Sequence, residues 1–283
     1  VTVEGRLRSG KFTLPGNVSS QFISGLLFAL PLLEGDSEII ITTPLESQSY
    51  VDLTLAALKK YGIKVVNNNY KTFTVPGGQK YQCRSAVVEG DWSQAAFWLA
   101  AGCLNGNVIC AGAEPASLQG DRAVKDILQA MGGKISAADG GLLAETSRLH
   151  GTVIDAADCP DIIPVLTVAA AVAEGTTEII NAGRLRIKEC DRLHAISEEL
   201  NKLGADIEEK AESLIVHGKP EGLRGGVVSA WNDHRIAMSM AVASIVCREP
   251  VIIEGSESVK KSYPTFWQDF FCLGGKYEQG ENL

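Results

Sequence analysis

The run Arg184-Leu-Arg-Ile-Lys-Glu-Cys-Asp-Arg-Leu193 holds four cations and two carboxylates between Arg184 and Arg192. An amphipathic helical pattern follows it. Asp191 is placed to cap that helix, which puts Arg192 in the first turn, where the helix dipole disfavours a cation. A cation kept there needs a partner, either a substrate anion or a carboxylate. The alternation of Leu185 and Ile187 predicts a strand with Arg184, Arg186 and Lys188 on one face. A solvated charge run is the plain alternative.

Three other helix starts carry polar or charged residues ahead of apolar runs: Ser19-Ser20-Gln21, Cys159-Pro160-Asp161 and Asn232-Asp233-His234-Arg235. A helix N-terminus offers free N–H groups and partial positive charge, so such ends suit anions; ordinary capping is the alternative for each one. Lys260-Lys261-Ser262-Tyr263-Pro264 reads as a basic turn with proline at a helix start. His194 and His217 lack metal-ligand spacing. No phosphate-binding glycine loop or dinucleotide fingerprint is present, and no Ser-His-Asp constellation is evident. The chemistry on offer is anion recognition.

The elements that position these residues repeat. An apolar helix ahead of a strand occurs as Ser20–Ile41, Trp92–Cys110, Asp161–Ile180 and His234–Ile253, closing on Gly35, Gly106 and Gly175 in the first three. A second helix ending in Leu/Tyr/Met-Gly ahead of another strand occurs as Val51–Val65, Asp121–Ile135, Asp191–Ile207 and Pro264–Tyr277. Its closing glycines, Gly62, Gly132, Gly204 and Gly274, differ by 70, 72 and 70 positions. A period near 70 residues predicts an α/β protein built from duplicated βαβ-like modules. The first helix is expected over Gln21–Leu33. Gly77–Arg84 reads as a connector, and Asp91 as the cap of the next module.

The chain has 283 residues, 45% hydrophobic and 21% charged, with a net charge of −8. That composition fits a globular core and argues against nonspecific nucleic-acid binding. The seven cysteines include no Cys-x-x-Cys pair and read as free thiols of a cytoplasmic protein. The longest apolar run, Phe22–Leu33, is too short to cross a bilayer. Val1 opens without an initiating methionine, so a fragment is expected.

In order along the chain, Asn17-Val-Ser-Ser-Gln-Phe22, Val88-Glu-Gly-Asp91, Gln119-Gly-Asp121, Arg186-Ile-Lys-Glu-Cys-Asp-Arg-Leu193, Asn232-Asp-His-Arg235 and Lys261-Ser-Tyr-Pro264 resemble the motifs of the enolpyruvyl transferases. The branch favoured is the one that uses shikimate 3-phosphate. The resemblance implies repeated βαβαββ units, as in that family's inside-out α/β barrel, with one complete three-unit domain over 86–283. Residues 1–85 would be the last unit of an otherwise missing domain. The missing part would carry a lysine and an arginine for phosphoenolpyruvate, so the chain alone is expected to be inactive. Its incomplete first domain would favour self-association. Arg184 and Cys190 depart from the family pattern.

The implied reaction moves the enolpyruvyl group of phosphoenolpyruvate to the 5-hydroxyl of shikimate 3-phosphate and releases phosphate, with no metal or cofactor. Asp161 would orient or deprotonate the hydroxyl, and Glu189 would handle the proton at the methylene carbon. Arg192, Arg235 and Lys261 would hold phosphoenolpyruvate. Ser19, Ser20, Ser47 and Lys188 would hold the shikimate phosphate or ring hydroxyls. Gln21 would touch both ligands, Tyr50 would line the ring, and His234 would support the Arg235 loop or the intermediate rather than act as the principal base. The branch that uses UDP-N-acetylglucosamine and a non-catalytic ligand-binding fragment are the alternatives.

Overall fold

The computed structural model describes residue 2 and residues 4–278, which divide into two compact units. The first comprises residues up to Val88 together with Leu118–Gly120. The second comprises Glu89–Ser117 and the rest of the chain from Asp121.

In the first unit the order is β1 (Lys11–Leu14), α1 (Ser20–Ala29), β2 (Ser37–Ile41), α2 (Gln48–Lys60), β3 (Val66–Asn68) and β4 (Thr72–Val75). The sheet runs β1-β2-β4-β3, with β1 and β2 parallel and the remaining pairs antiparallel. Ile23 and Leu27 of α1, Val51 and Leu58 of α2, and Ile39, Phe73 and Val75 of the sheet form its core. The expected helix over Gln21–Leu33 is shorter. Pro31 cannot donate an amide hydrogen to the α-helical ladder, and the chain tightens into a 3₁₀ turn over Leu30–Leu32.

The second unit opens with α3 (Trp92–Asn105), β5 (Asn107–Ala111), α4 (Ala123–Ala130), β6 (Lys134–Ala138) and β7 (Gly141–Glu145). Next come β8 (Val153–Asp155), α5 (Ile163–Ala171), β9 (Thr176–Ile180), α6 (Arg192–Lys202), β10 (Ile207–Glu209) and β11 (Leu214–His217). It closes with β12 (Gly226–Ser229), α7 (His234–Ser244), β13 (Val251–Glu254) and α8 (Phe266–Cys272). The sheets β8-β9-β11-β10 and β5-β7-β6 repeat the strand order of the first unit, and the parallel pair β12-β13 repeats its beginning. Among the described residues the four sheets stay separate rather than joining into one barrel wall.

In the second unit the first helix of each module lies innermost. Every residue of α5 is buried, as are all but Ser244 of α7, and α3, α5 and α7 pack on one another. A helix apolar on all sides belongs in a core. The sheets lie outside it, with Ile109, Val153, Val227 and Ile252 turned to solvent. The closing glycines Gly62, Gly132, Gly204 and Gly274 all have left-handed backbones, φ 83, 92, 94 and 97. Each ends its helix in the conformation that glycine adopts without a Cβ penalty.

Three local expectations fail. Gly183–Ile187 is a 3₁₀ helix, not a strand: Leu185 is buried, Ile187 is exposed, and the backbone becomes extended only at Lys188. Pro264 does not open a helix; the chain makes a 3₁₀ turn over Ser256–Lys261, and α8 starts at Phe266 behind Thr265. No strand follows Gly274 among the described residues.

Candidate active site

The sequence-derived site residues fall into two groups, one in each unit. In the first unit, Ser19 caps α1 and accepts from the Gln21 amide at 3.3 Å, while Ser20 is buried in the first turn. Ser47, also buried, precedes α2 with a left-handed backbone, φ 51. The Tyr50 amide donates to the Ser47 carbonyl at 3.2 Å. The loops leading into the two helices are joined: the Glu46 amide donates to the Gly16 carbonyl at 3.1 Å, and Thr43 Oγ1 donates to Asn17 Oδ1 at 3.0 Å. Since β1 and β2 are parallel, α1 and α2 both return the same way and begin at one edge of the sheet. Ser19, Ser20, Gln21, Ser47 and Tyr50 therefore gather at two adjacent helix N-termini, an arrangement suited to an anion.

In the second unit the site grows around Arg192, the first residue of α6. Asp191 caps this helix by accepting from the His194 amide at 3.0 Å. Arg192 has 1% of its side chain exposed and is held by three carboxylates. Nε donates to Asp233 Oδ2 at 2.7 Å, Nη1 to Asp161 Oδ1 at 2.8 Å and Nη2 to Glu189 Oε2 at 2.6 Å. The partner that the dipole argument demands is thus carboxylate. The extended backbone at Lys188 carries its ammonium to 3.3 Å from Asp161 Oδ1.

Asp233 is fully buried and caps α7, accepting from the Arg235 amide at 2.8 Å. Arg235 lies 3.7 Å from Asp161 Oδ2, and its far side rests on Ser93: Nη1 donates to the Ser93 carbonyl at 3.1 Å and Nη2 to Ser93 Oγ at 2.8 Å. Its Nε is buried without a hydrogen-bond partner among the described residues. Lys261 Nζ donates to both the backbone carbonyl and Oδ1 of Asn232. His234 is buried beside Asp233, with Nδ1 3.9 Å from Oδ1.

The electrostatics follow from this packing. Burial alone would push the Asp161 carboxyl up, but Arg235, Lys188 and Arg192 outweigh it and hold Asp161 well below the usual carboxylate range. Burial opposes ionisation of Asp233 as well, and the hydrogen bonds from Arg192 reverse the sign. His234 is lowered, first by burial and then by Arg235, so its imidazole is neutral at pH 7. Burial and the neighbouring Asp233 push the Cys190 thiol up to about 12, leaving it protonated. With Lys188, Arg192, Arg235 and Lys261 set against Asp161, Glu189 and Asp233, the cluster carries one surplus positive charge.

The sequence matches the family described as EPSP synthase (3-phosphoshikimate 1-carboxyvinyltransferase) over residues 1–270. The chain belongs to that family. It is 56% identical over 273 residues to the 3-phosphoshikimate 1-carboxyvinyltransferase of Clostridium acetobutylicum, covering 96% of this chain and 63% of the relative. It is 55% identical over 275 residues to that of Clostridium novyi, covering 97% and 63%. An EPSP synthase structure from Acinetobacter baumannii superposes with a TM-score of 0.78 at 28% identity, covering 95% of this chain and 63% of that one. The chain thus spans about 63% of the length of the curated relatives it matches.

Within this EPSP synthase family chain, three supporting residues escape a reading of charged runs. Asp233 lies inside a recognised motif but looks like a simple cap. Asn232, its neighbour, holds Lys261. Ser93 stands 142 residues from Arg235, and only its place in the first turn after the Asp91 cap hinted at a role.

Proposed function

We propose that the protein carrying this chain transfers the enolpyruvyl group of phosphoenolpyruvate to the 5-hydroxyl of shikimate 3-phosphate. Membership of the EPSP synthase family supports the reading, and the observation that carries it is the Asp161–Glu189–Arg192–Arg235 cluster. Arg192, Arg235 and Lys261 hold the phosphoenolpyruvate anion. Arg192, committed to three carboxylates, also fixes Asp161 and Glu189 and adds positive potential.

Asp161 orients the 5-hydroxyl. In the unliganded cluster its low proton affinity makes it a weak base. Binding an anion beside Arg235 and Lys188 offsets the cations that depress it and raises its basicity when the hydroxyl arrives. Glu189 enters this step carrying a proton taken from solvent: the hydroxyl oxygen bonds to C2 of phosphoenolpyruvate, the hydroxyl proton passes to Asp161, which later yields it to the departing phosphate, and C3 takes the proton of Glu189. The tetrahedral adduct then loses phosphate while Glu189 recovers a proton from C3, restoring the double bond. Ser19, Ser20, Ser47 and Lys188 hold the phosphate and ring hydroxyls of the acceptor, Gln21 reaches both ligands, and Tyr50 lines the ring. His234, neutral, supports the Arg235 loop.

Residues 86–283 are read as a complete three-unit domain and residues 1–85 as a unit of the other domain. Exposed Phe22, Phe28 and Leu32 in the first unit are the surface for self-association, and a monomeric light-scattering mass at high concentration would count against it. No helix among the described residues is long and apolar enough to cross a membrane; a cytoplasmic location is part of the proposal and rests on the family resemblance.

The deciding experiment measures phosphate release from phosphoenolpyruvate by the full-length protein, with shikimate 3-phosphate and UDP-N-acetylglucosamine as parallel acceptors. Release with shikimate 3-phosphate alone is expected. Release only with the nucleotide sugar, or with neither acceptor, refutes the reading.

A further inference from the structure

Glu199, like Asp233, is an acid with no exposed surface. It lies seven residues after Arg192 on the same face of α6. Its oxygens accept from Trp231 Nε1 at 2.6 Å, from the Ser229 amide at 3.0 Å and from Lys202 Nζ at 2.9 Å. A carboxylate so buried requires partners of this kind. The partners are notable for their location. Trp231 and Asn232 are consecutive non-glycine residues with left-handed backbones, φ 52 and φ 50. Such a pair is costly and persists only where its surroundings fix it. Glu199 grips this turn from one side, the Ser229 hydroxyl accepts from the Trp231 amide at 3.1 Å, and the indole stands edge-on to the His194 ring.

The turn leads directly into Asp233, which anchors Arg192 and caps the helix bearing Arg235. Its Asn232 oxygens receive Lys261. We propose that Glu199 is a positioning residue: through Trp231 it holds the strained Trp231–Asn232 turn in the one conformation that presents Arg235 and Lys261 to the anionic substrate. The substrate assignment rests on the enolpyruvyl-transfer reading above.

The test uses the full-length enzyme with Glu199→Gln, Trp231→Phe and their double variant. The control is Glu198→Ala, which removes the neighbouring half-exposed acid that pairs with Lys202 and His194. Each single variant is expected to raise KM for phosphoenolpyruvate at least fivefold, with KM for shikimate 3-phosphate changed less than twofold. The double variant should be no worse than the poorer single, because both break one brace. The control should match wild type. A lower melting midpoint with unchanged KM in both single variants would make Glu199 a structural residue only and overturn the proposal. Multiplicative effects in the double variant would overturn it too.

A second readout does not depend on turnover. The Trp231 indole N–H resonance, assigned by its absence in Trp231→Phe, should move on adding inorganic phosphate to wild type and lose that response in Glu199→Gln. No response in wild type, or an equal one in Glu199→Gln, refutes the coupling. A wild-type enzyme that turns over neither acceptor but keeps the indole response would sink the enolpyruvyl reading and leave the brace standing.

Discussion

Replacing Arg192 with lysine keeps the charge and the length of the side chain roughly constant, yet the structure predicts a large loss. The guanidinium meets Asp233, Asp161 and Glu189 from three different nitrogens, with a fourth, longer contact of 3.3 Å from Nη2 to Asp233 Oδ1. A single ammonium cannot reproduce that planar fork. From one position it serves about two of the three carboxylates. Hydrogen bonds to charged groups contribute about 1.5–3 kcal/mol each. The Glu189 contact counts for less because that side chain is 44% exposed and solvent screens it. The expected cost of Arg192→Lys is therefore about 2–4 kcal/mol. At roughly 2–3 °C per kcal/mol for a protein of this size, the melting midpoint falls by about 5–10 °C.

The pH dependence adds a second signature. Asp161 and Asp233 have depressed folded-state pKa values, so their contribution is complete above the ordinary carboxylate value near 4 and is lost as pH falls through the folded values. The lysine variant starts with less of this contribution, so the gap between variant and wild type should narrow below about pH 4. Thermal melts followed by circular dichroism at pH 7 and across the acid range measure both effects. A midpoint within about 1 °C of wild type at pH 7, or a gap that widens with acid, would refute the reasoning.

In the full-length enzyme, Asp161→Asn and Glu189→Gln are each expected to cut kcat by about 10²-fold or more, the range for lost acid–base help; steady-state phosphate release checks this. Ser93→Ala removes one hydrogen bond from the Arg235 guanidinium while the Ser93 carbonyl contact remains. KM for phosphoenolpyruvate should rise by roughly tenfold, within the range for one charge-assisted bond, with a smaller change in kcat. In an NMR titration, His234 should protonate only below its ordinary value of 6.5, because burial and Arg235 oppose the charge, whereas His194 should protonate above its own, because Glu209 accepts from it. The signs for stability are opposite. The His194 contribution is present in acid and fades as pH rises through its raised pKa, while that of His234 is present at neutral pH and fades as pH falls below 6.5.

What the sequence made legible was periodic. The glycine spacing marked the ends of α2, α4, α6 and α8, and polar residues marked the caps at Ser19, Asp91, Asp191 and Asp233, each of which accepts the capping bond, whereas Cys159-Pro160-Asp161 opens a 3₁₀ turn over Pro160–Ile162 with no side-chain cap and α5 starts only at Ile163. Capping and left-handed glycine are local physics, written within a few residues. The stretch before α6 was misread because a two-residue alternation of Leu185 and Ile187 is too short to separate a strand from a 3₁₀ turn, and tertiary packing buried only one of the two. The division of labour among the cations was not legible either. That Arg192 is saturated by carboxylates and Arg235 rests on Ser93 depends on distances between separate modules, which no linear pattern encodes.

The recurring left-handed glycine also makes the chain its own set of internal controls. One backbone conformation occurs at four sites whose surroundings differ. Among the described residues a Cβ at Gly274 would meet nothing within 4 Å, whereas at Gly132 it would come within 3.1 Å of the Arg148 carbonyl oxygen. At Gly204 it would approach Arg224 Nε to 2.9 Å, and at Gly62 it would press against the Gln82 side chain. The conformational penalty for an L-residue, about 1–2 kcal/mol, is common to all four, so the differences between sites isolate the cost of neighbours. The repeat thus places one structural constraint in four contexts that differ in how tightly each enforces it.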